Sequence, residues 1–208
     1  MSLESEHENA RATPSHRRRL LQDPLAIRAL AHPARTELLS LVGRAGTLTT
    51  ATAAREMHIS HGLASHHLRQ LAKYGFLEQV RGRDRKERPW KLTSTSQSWS
   101  NAHSTPEGAA AVDILETVEA EQSLTHLLDW IRRRKAWPNA WRRHTGYGRS
   151  NVYLTVDEVH QLEADIDAVI RRYLDARPID DLTSQPLDSV PVEITMFIVP
   201  LAELGRTG

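Results

Sequence analysis

The residues best placed to do chemistry stand in two short runs. The first, His61-Gly62-Leu63-Ala64-Ser65-His66-His67-Leu68-Arg69, mixes imidazoles, a hydroxyl and a guanidinium with an apolar set, Ala64, Leu68 and Leu71, at i, i+4 and i+7. On a helix that set makes one inner face, and His61, Gly62, Ser65, His66 and Arg69 fall on the opposite side. The second run, Arg81 to Lys91, holds six basic and two acidic residues, with Arg81, Arg83, Arg85, Lys86 and Arg88 among the cations. Short polar side chains on one helix face suit the hydrogen-bonding edges of base pairs, and a cluster of cations suits phosphate. The chemistry these residues suggest is recognition of a polyanion.

Catalysis finds little support. No serine sits in a G-x-S-x-G elbow and no Gly-rich phosphate loop occurs, so the chain reads as a non-enzyme. It has no cysteine, which excludes a disulfide framework, thiolate zinc sites, iron–sulfur clusters and a cysteine nucleophile. His66 and His67 are adjacent, hence about 100° apart on a helix, and diverge. The expected arrangement is His66 outward and His67 partly packed. His160 and Glu163 have ligand spacing, but helix surfaces produce it by chance. Neither a metal nor another cofactor is expected. Arg132-Arg133-Arg134-Lys135 reads as a complement to a helix C-terminus.

The net charge of +1 hides a split. Residues 17–95 hold 15 basic and 6 acidic residues, whereas residues 96–208 hold 11 and 17. A basic half beside an acidic half points to a polyanion-binding module attached to a part with another task. No apolar run approaches the ~18 residues of a membrane span, and the N-terminus has no apolar stretch of a secretory signal. A cytoplasmic protein without a membrane partner is expected.

These residues need elements to hold them. Residues 1–19 are polar and aperiodic and read as a disordered arm ending in Arg17-Arg18-Arg19. Order is expected from Asp23-Pro24, a capping acid before a first-turn proline. Short helices follow over Leu25 to Leu30, from His32-Pro33 to Gly43–Gly46, and over Ala51 to Met57. The turn His58-Ile59-Ser60 leads into a fourth helix, capped by Ser60 and stopped after Tyr74 by Gly75. Runs Leu77–Arg83 and Arg88–Thr93 read as a hairpin, and 93–106, rich in Ser and Thr, as a linker. A long helix, roughly Glu107 to Lys135, carries Ile114, Leu115, Val118, Leu124, Leu127, Leu128 and Ile131, with a break in the stripe at Glu121-Gln122. Thr155-Val156-Asp157-Glu158 is a capping box opening an amphipathic helix with Val159, Leu162, Ile166, Val169, Ile170 and Tyr173. Residues 151–154 and 190–199 read as a pair of strands. Trp99, Trp130, Trp137 and Trp141, with Tyr153 and Phe197, fit either an apolar ligand pocket or core and dimer packing.

Three helices, a tight turn into a helix with a polar outer face, then a basic hairpin is the order of a winged helix-turn-helix. The runs Leu30-Ala31-His32-Pro33-Ala34-Arg35-Thr36-Glu37-Leu38-Leu39 and Ile59 to Leu71, followed by Gly75-Phe76-Leu77, resemble the ArsR-type winged-helix repressors. Residues 151–199 resemble, more loosely, the C-terminal part of a longer subgroup. The resemblance covers about residues 23–93. It implies a homodimeric bacterial repressor in which Ser60 to Arg69 read the major groove and the hairpin cations form the wing. It also implies departures: Thr47 to Thr52 stands where the family's thiolate metal site begins, and His160/Glu163 is half of a zinc site whose other half is missing.

The expected fold class is mainly α with small β: a winged helix-turn-helix over residues 20–95, then a long dimerisation helix and a small α+β part over residues 96–208. The expected partners are double-stranded DNA, a second copy of the chain and an organic small-molecule effector. The rival reading is a winged-helix protein-interaction module with no specific DNA target. A wing that only docks on protein has no need of six cations in eleven residues, which favours DNA.

Overall fold

The computed structural model describes residues 18–82, 87–100, 105–177 and 182–201. Within these the chain is mainly helical, with small β elements and a winged helix-turn-helix at its N-terminal side. Helix α1, Pro24–Leu30, starts where Asp23 accepts the Leu25 N–H and Pro24 presets the first turn. Helix α2, Pro33–Ala45, is capped by the His32 ring, whose Nδ1 accepts the Ala34 N–H at 3.1 Å. It ends at Gly46, whose φ of 68° suits glycine. Helix α3, Thr50–Glu56, is capped by Thr49. The turn into α4, His61–Lys73, places His58 at φ 54°, and Ser60 caps α4 by accepting the Leu63 N–H at 3.2 Å.

A parallel pair joins β1, Arg18–Leu20, to β4, Ser96–Ser98. Between them in the chain, β2, Leu77–Gln79, pairs antiparallel with β3, Trp90–Leu92, setting Glu78 opposite Lys91. A bridge between Leu48 and Trp90 and a bond from Trp90 Nε1 to Thr50 Oγ1 (3.0 Å) tie the hairpin to the start of α3.

The core gathers Ile27, Leu30, Leu38, Val42, Leu68, Leu71, Phe76 and Trp90 from this unit, together with Ala111, Val112 and Leu115 of α5, Pro106–Arg133. The first third of α5 therefore belongs to the same core, packed on α1. A boundary at residue 95/96, as the Ser/Thr-rich stretch suggests, does not divide the packing. The linker and arm readings change for the same reason. Ser96 to Ser98 supplies a ladder to Arg18–Leu20, and Arg19 lays its guanidinium 4.8 Å over the Phe76 ring. Arg18–Leu20, at the end of the expected arm, is thus part of a strand.

Beyond Arg133 a 3₁₀ turn, Arg134–Ala136, leads to α6, Asn139–His144, and to α7, Val156–Ala176, whose capping box is formed in full. Residues 151–154 and 190–199 enter no ladder, so the expected strand pair is not formed among the described residues. The two runs have the β-branched composition of strands, but no neighbour among the described residues supplies the hydrogen bonds a strand needs. None of the described helices is long and apolar enough to cross a membrane.

Candidate nucleic-acid interface

Helix α4 sorts its residues as the spacing predicts. Ala64, Leu68 and Leu71 are fully buried, while His61, Gly62, His66 and Arg69 are exposed and Ser65 is half-buried. Adjacent histidines take opposite fates: His66 faces out, whereas His67 is only 7% exposed. The His67 ring lies 4.8 Å from that of His32, so the cap of α2 and the inner edge of α4 touch through two imidazoles. Burial first, then the charges of the neighbouring ring and Arg35, hold the His67 pKa below its ordinary value, and burial does the same for His32. Both belong to the packing of the domain.

The outer face carries the chemistry. Ser60 is exposed, but its hydroxyl oxygen is engaged by the Leu63 N–H, so its first task is to position the helix. A Cβ added at Gly62 would meet nothing within 4 Å, so the fold does not demand glycine there. Arg69 leans back along the helix, its Nε donating to the Ser65 carbonyl at 3.2 Å. Leu63, 44% exposed, stands among these polar residues and was not among the sequence candidates. The signal was present: Leu63 lies off the Ala64-Leu68-Leu71 line, so an apolar residue there cannot reach the core.

The wing keeps its pairing to the base of its tip. Val80 N–H donates to the Pro89 carbonyl (2.9 Å) and Gly82 N–H to the Glu87 carbonyl (3.2 Å). Arg81 and Arg88 are exposed on the two rails. Arg83, Arg85 and Lys86, the other expected wing cations, lie outside the described residues.

A second polar assembly, unforeseen from sequence, sits where α5 crosses α2. Gln122 Nε2 donates to Glu37 Oε2 (2.7 Å), and the Thr36 hydroxyl bonds to Gln122 Oε1. His126 lies between two carboxylates, with Nε2 3.3 Å from Glu37 Oε2 and Nδ1 2.6 Å from Glu193 Oε2. The break in the apolar stripe at Glu121-Gln122 is thus a crossing point with α2. Trp130, Trp137 and Trp141 form a chain of edge-on rings 5.3 and 5.9 Å apart, whereas Trp99 lies apart and bonds through Nε1 to Glu116. With Tyr153 and Phe197 exposed, the six aromatics of the sequence reading do not line one pocket.

Comparison with known proteins agrees on the N-terminal unit. Residues 30–80 match a helix-turn-helix domain family, a description that does not single out the ArsR-type group. No curated protein matches the chain. Among solved structures, wild-type MarR in its apo form from E. coli aligns with a TM-score of 0.31 and 19% identity, covering 72% of this chain and 88% of that one. A cysteine-to-serine variant of MarR from E. coli complexed with operator DNA gives 0.30 and 20%, covering 72% and 85%. The heme sensor protein PefR from Streptococcus agalactiae in complex with heme gives 0.30 and 16%, covering 71% and 78%. Likenesses this distant carry no functional weight, and the interface rests on its own residues.

Proposed function

We propose that the chain is a sequence-specific DNA-binding transcriptional regulator, acting as a repressor when a two-fold dimer occupies a near-palindromic operator. The observation that carries this reading is the two-sidedness of α4: a fully buried apolar line on one side, and on the other an exposed polar face beside a hairpin with Arg81 and Arg88 on its rails. A helix of this kind fits the major groove and a basic hairpin fits the backbone next to it. In this reading Ser60 fixes the start of α4, and the free N–H groups of the first turn approach a phosphate. Gly62 lets the backbone come close. His61, Ser65 and His66 meet base edges, with Leu63 against a thymine methyl. Arg69, Arg81 and Arg88 hold phosphates, together with Arg83, Arg85 and Lys86 of the wing tip.

The dimer follows from what one copy leaves in water. No residue of α7 is buried, although its apolar line is continuous, and Ile114, Leu124, Leu128 and Ile131 of α5 are exposed. At roughly 25 cal/mol per Å² of apolar surface, covering both lines by a second copy is a substantial gain. Glu193 and Thr195 bond to His126 and Ser123 of α5, which leaves the alternate residues Val192, Ile194, Met196 and Ile198 exposed. This row and residues 151–154 find their ladder partners in the dimer.

Selection of bound duplexes from a random pool tests the proposal. An enriched inverted repeat with half-sites about one helical turn apart is expected. Ser65→Ala or His66→Ala should cost about 1–3 kcal/mol on the selected site for each base edge no longer read, and leave binding to random duplex almost unchanged. A pool that shows no enrichment would leave a protein-docking module as the better reading.

A further inference from the structure

We propose that the cleft between α2, the β3–β4 segment and α5 is a binding site for a small protonated organic amine, held by the Glu119 carboxylate against Trp99. The cleft has a volume of about 320 Å³ and is half open to solvent. That is enough for a small organic molecule. Thr36 and Ser40 of α2, Thr95, Gln97 and Trp99 of the connecting segment, and Glu119 of α5 contribute to its walls.

Charge selects the ligand. Among the described residues Glu119 is the only ionisable one lining the cleft, and it has no hydrogen-bond or ion-pair partner there. Burial, and then the neighbouring Glu193 carboxylate, push its pKa up. An unpaired, partly buried carboxylate is costly, and a cation beside it removes the cost. An anion would meet repulsion with no compensating cation among the described wall residues. Trp99 is held in place by its own bond to Glu116 and offers an indole to an apolar body or to the charge. Carboxylate and indole together describe a protonated amine on a compact apolar body.

The site also has a position from which to act. An occupant touches α2, which packs on α4, and α5, which carries the exposed dimer line. Its effect on DNA rests on the function proposed above; its binding does not.

Calorimetry on the full-length protein with benzylamine at neutral pH tests the site, with benzoate and benzyl alcohol as anionic and neutral counterparts. Benzylamine should bind, and the counterparts should be weaker by about tenfold or more. Glu119→Gln should abolish this preference while melting no lower than the parent, because it removes an uncompensated carboxylate. Trp99→Leu should weaken the amine without restoring benzoate. No heat with benzylamine, equal binding of benzoate, or an unchanged preference in Glu119→Gln would overturn the proposal. Titration of duplex DNA with and without benzylamine then separates the two claims. A shift in DNA affinity that vanishes in Glu119→Gln supports coupling, and by linkage DNA must shift amine affinity by the same factor. An unchanged DNA affinity removes the regulatory role and leaves calorimetry to decide the site.

Discussion

At residue scale, positions in one helix that differ by a single step have opposite duties. Gly62 faces open space with no positive φ, so alanine there costs the fold nothing and removes a helix-weakening glycine. Gly62→Ala should therefore melt no lower than the parent yet bind DNA more weakly, because in the proposed interface the added methyl lies where the backbone meets the duplex. Equal DNA affinity in a gel-shift titration would remove Gly62 from the interface. His67, five residues on, is buried against His32, and both are held below the ordinary value of 6.5, chiefly by burial. The unfolded chain then takes up protons near 6.5 while the folded one resists, so stability falls as pH drops below 6.5, until the lowered folded values are reached. Protonation at Nδ1 of His32 also removes the acceptor that caps α2. Melting temperatures across pH 7.5 to about 5 should fall more steeply in the parent than in His67→Gln. Parallel curves would mean that other groups dominate.

At the scale of elements, the hairpin holds together as a unit, because its rails are paired up to Gly82 and Glu87, with Arg81 on one rail and Arg88 on the other. Replacing Arg81 and Arg88 by glutamine should weaken binding to every duplex alike and make the salt dependence shallower by about 0.9 for each phosphate no longer neutralised. An unchanged slope would place the wing away from DNA. The long helix shows a different division. Its first third, with Ala111, Val112 and Leu115, completes the core of the helix-turn-helix unit, its middle is pinned to α2 through Gln122 and His126, and its last third is uncovered. One helix thus joins the DNA-facing unit to the surface that a second copy would take.

At the scale of the molecule, the uncovered apolar lines of α5 and α7 should set the assembly. Leu128, 42% exposed in one copy, lies on the α5 line. Leu128→Glu should yield monomers whose helix-turn-helix unit keeps its fold, since that core lies two turns or more away, and which lose operator binding because a half-site alone binds weakly. Sedimentation of the parent as a monomer at micromolar concentration would sink the dimer.

Residues 23–93 were legible from sequence because their information is local. Caps at Asp23 and Ser60, the stop at Gly75, and the 3.6-residue spacing of Ala64, Leu68 and Leu71 each act within a few residues and need no distant partner. The same holds for the capping box of α7. What the sequence could not decide depends on residues far apart in the chain. The parallel pairing of Arg18–Leu20 with Ser96–Ser98 joins two segments of polar composition that carry no strand signal. The Glu37–Gln122–His126–Glu193 network and the cleft around Glu119 arise only when α2, α5 and the tail come together, and their polar residues read singly as surface. The alternation at 190–199 shows the limit from the other side. A strand pattern states which face is apolar, but hydrogen bonding needs a neighbour, and none stands there among the described residues.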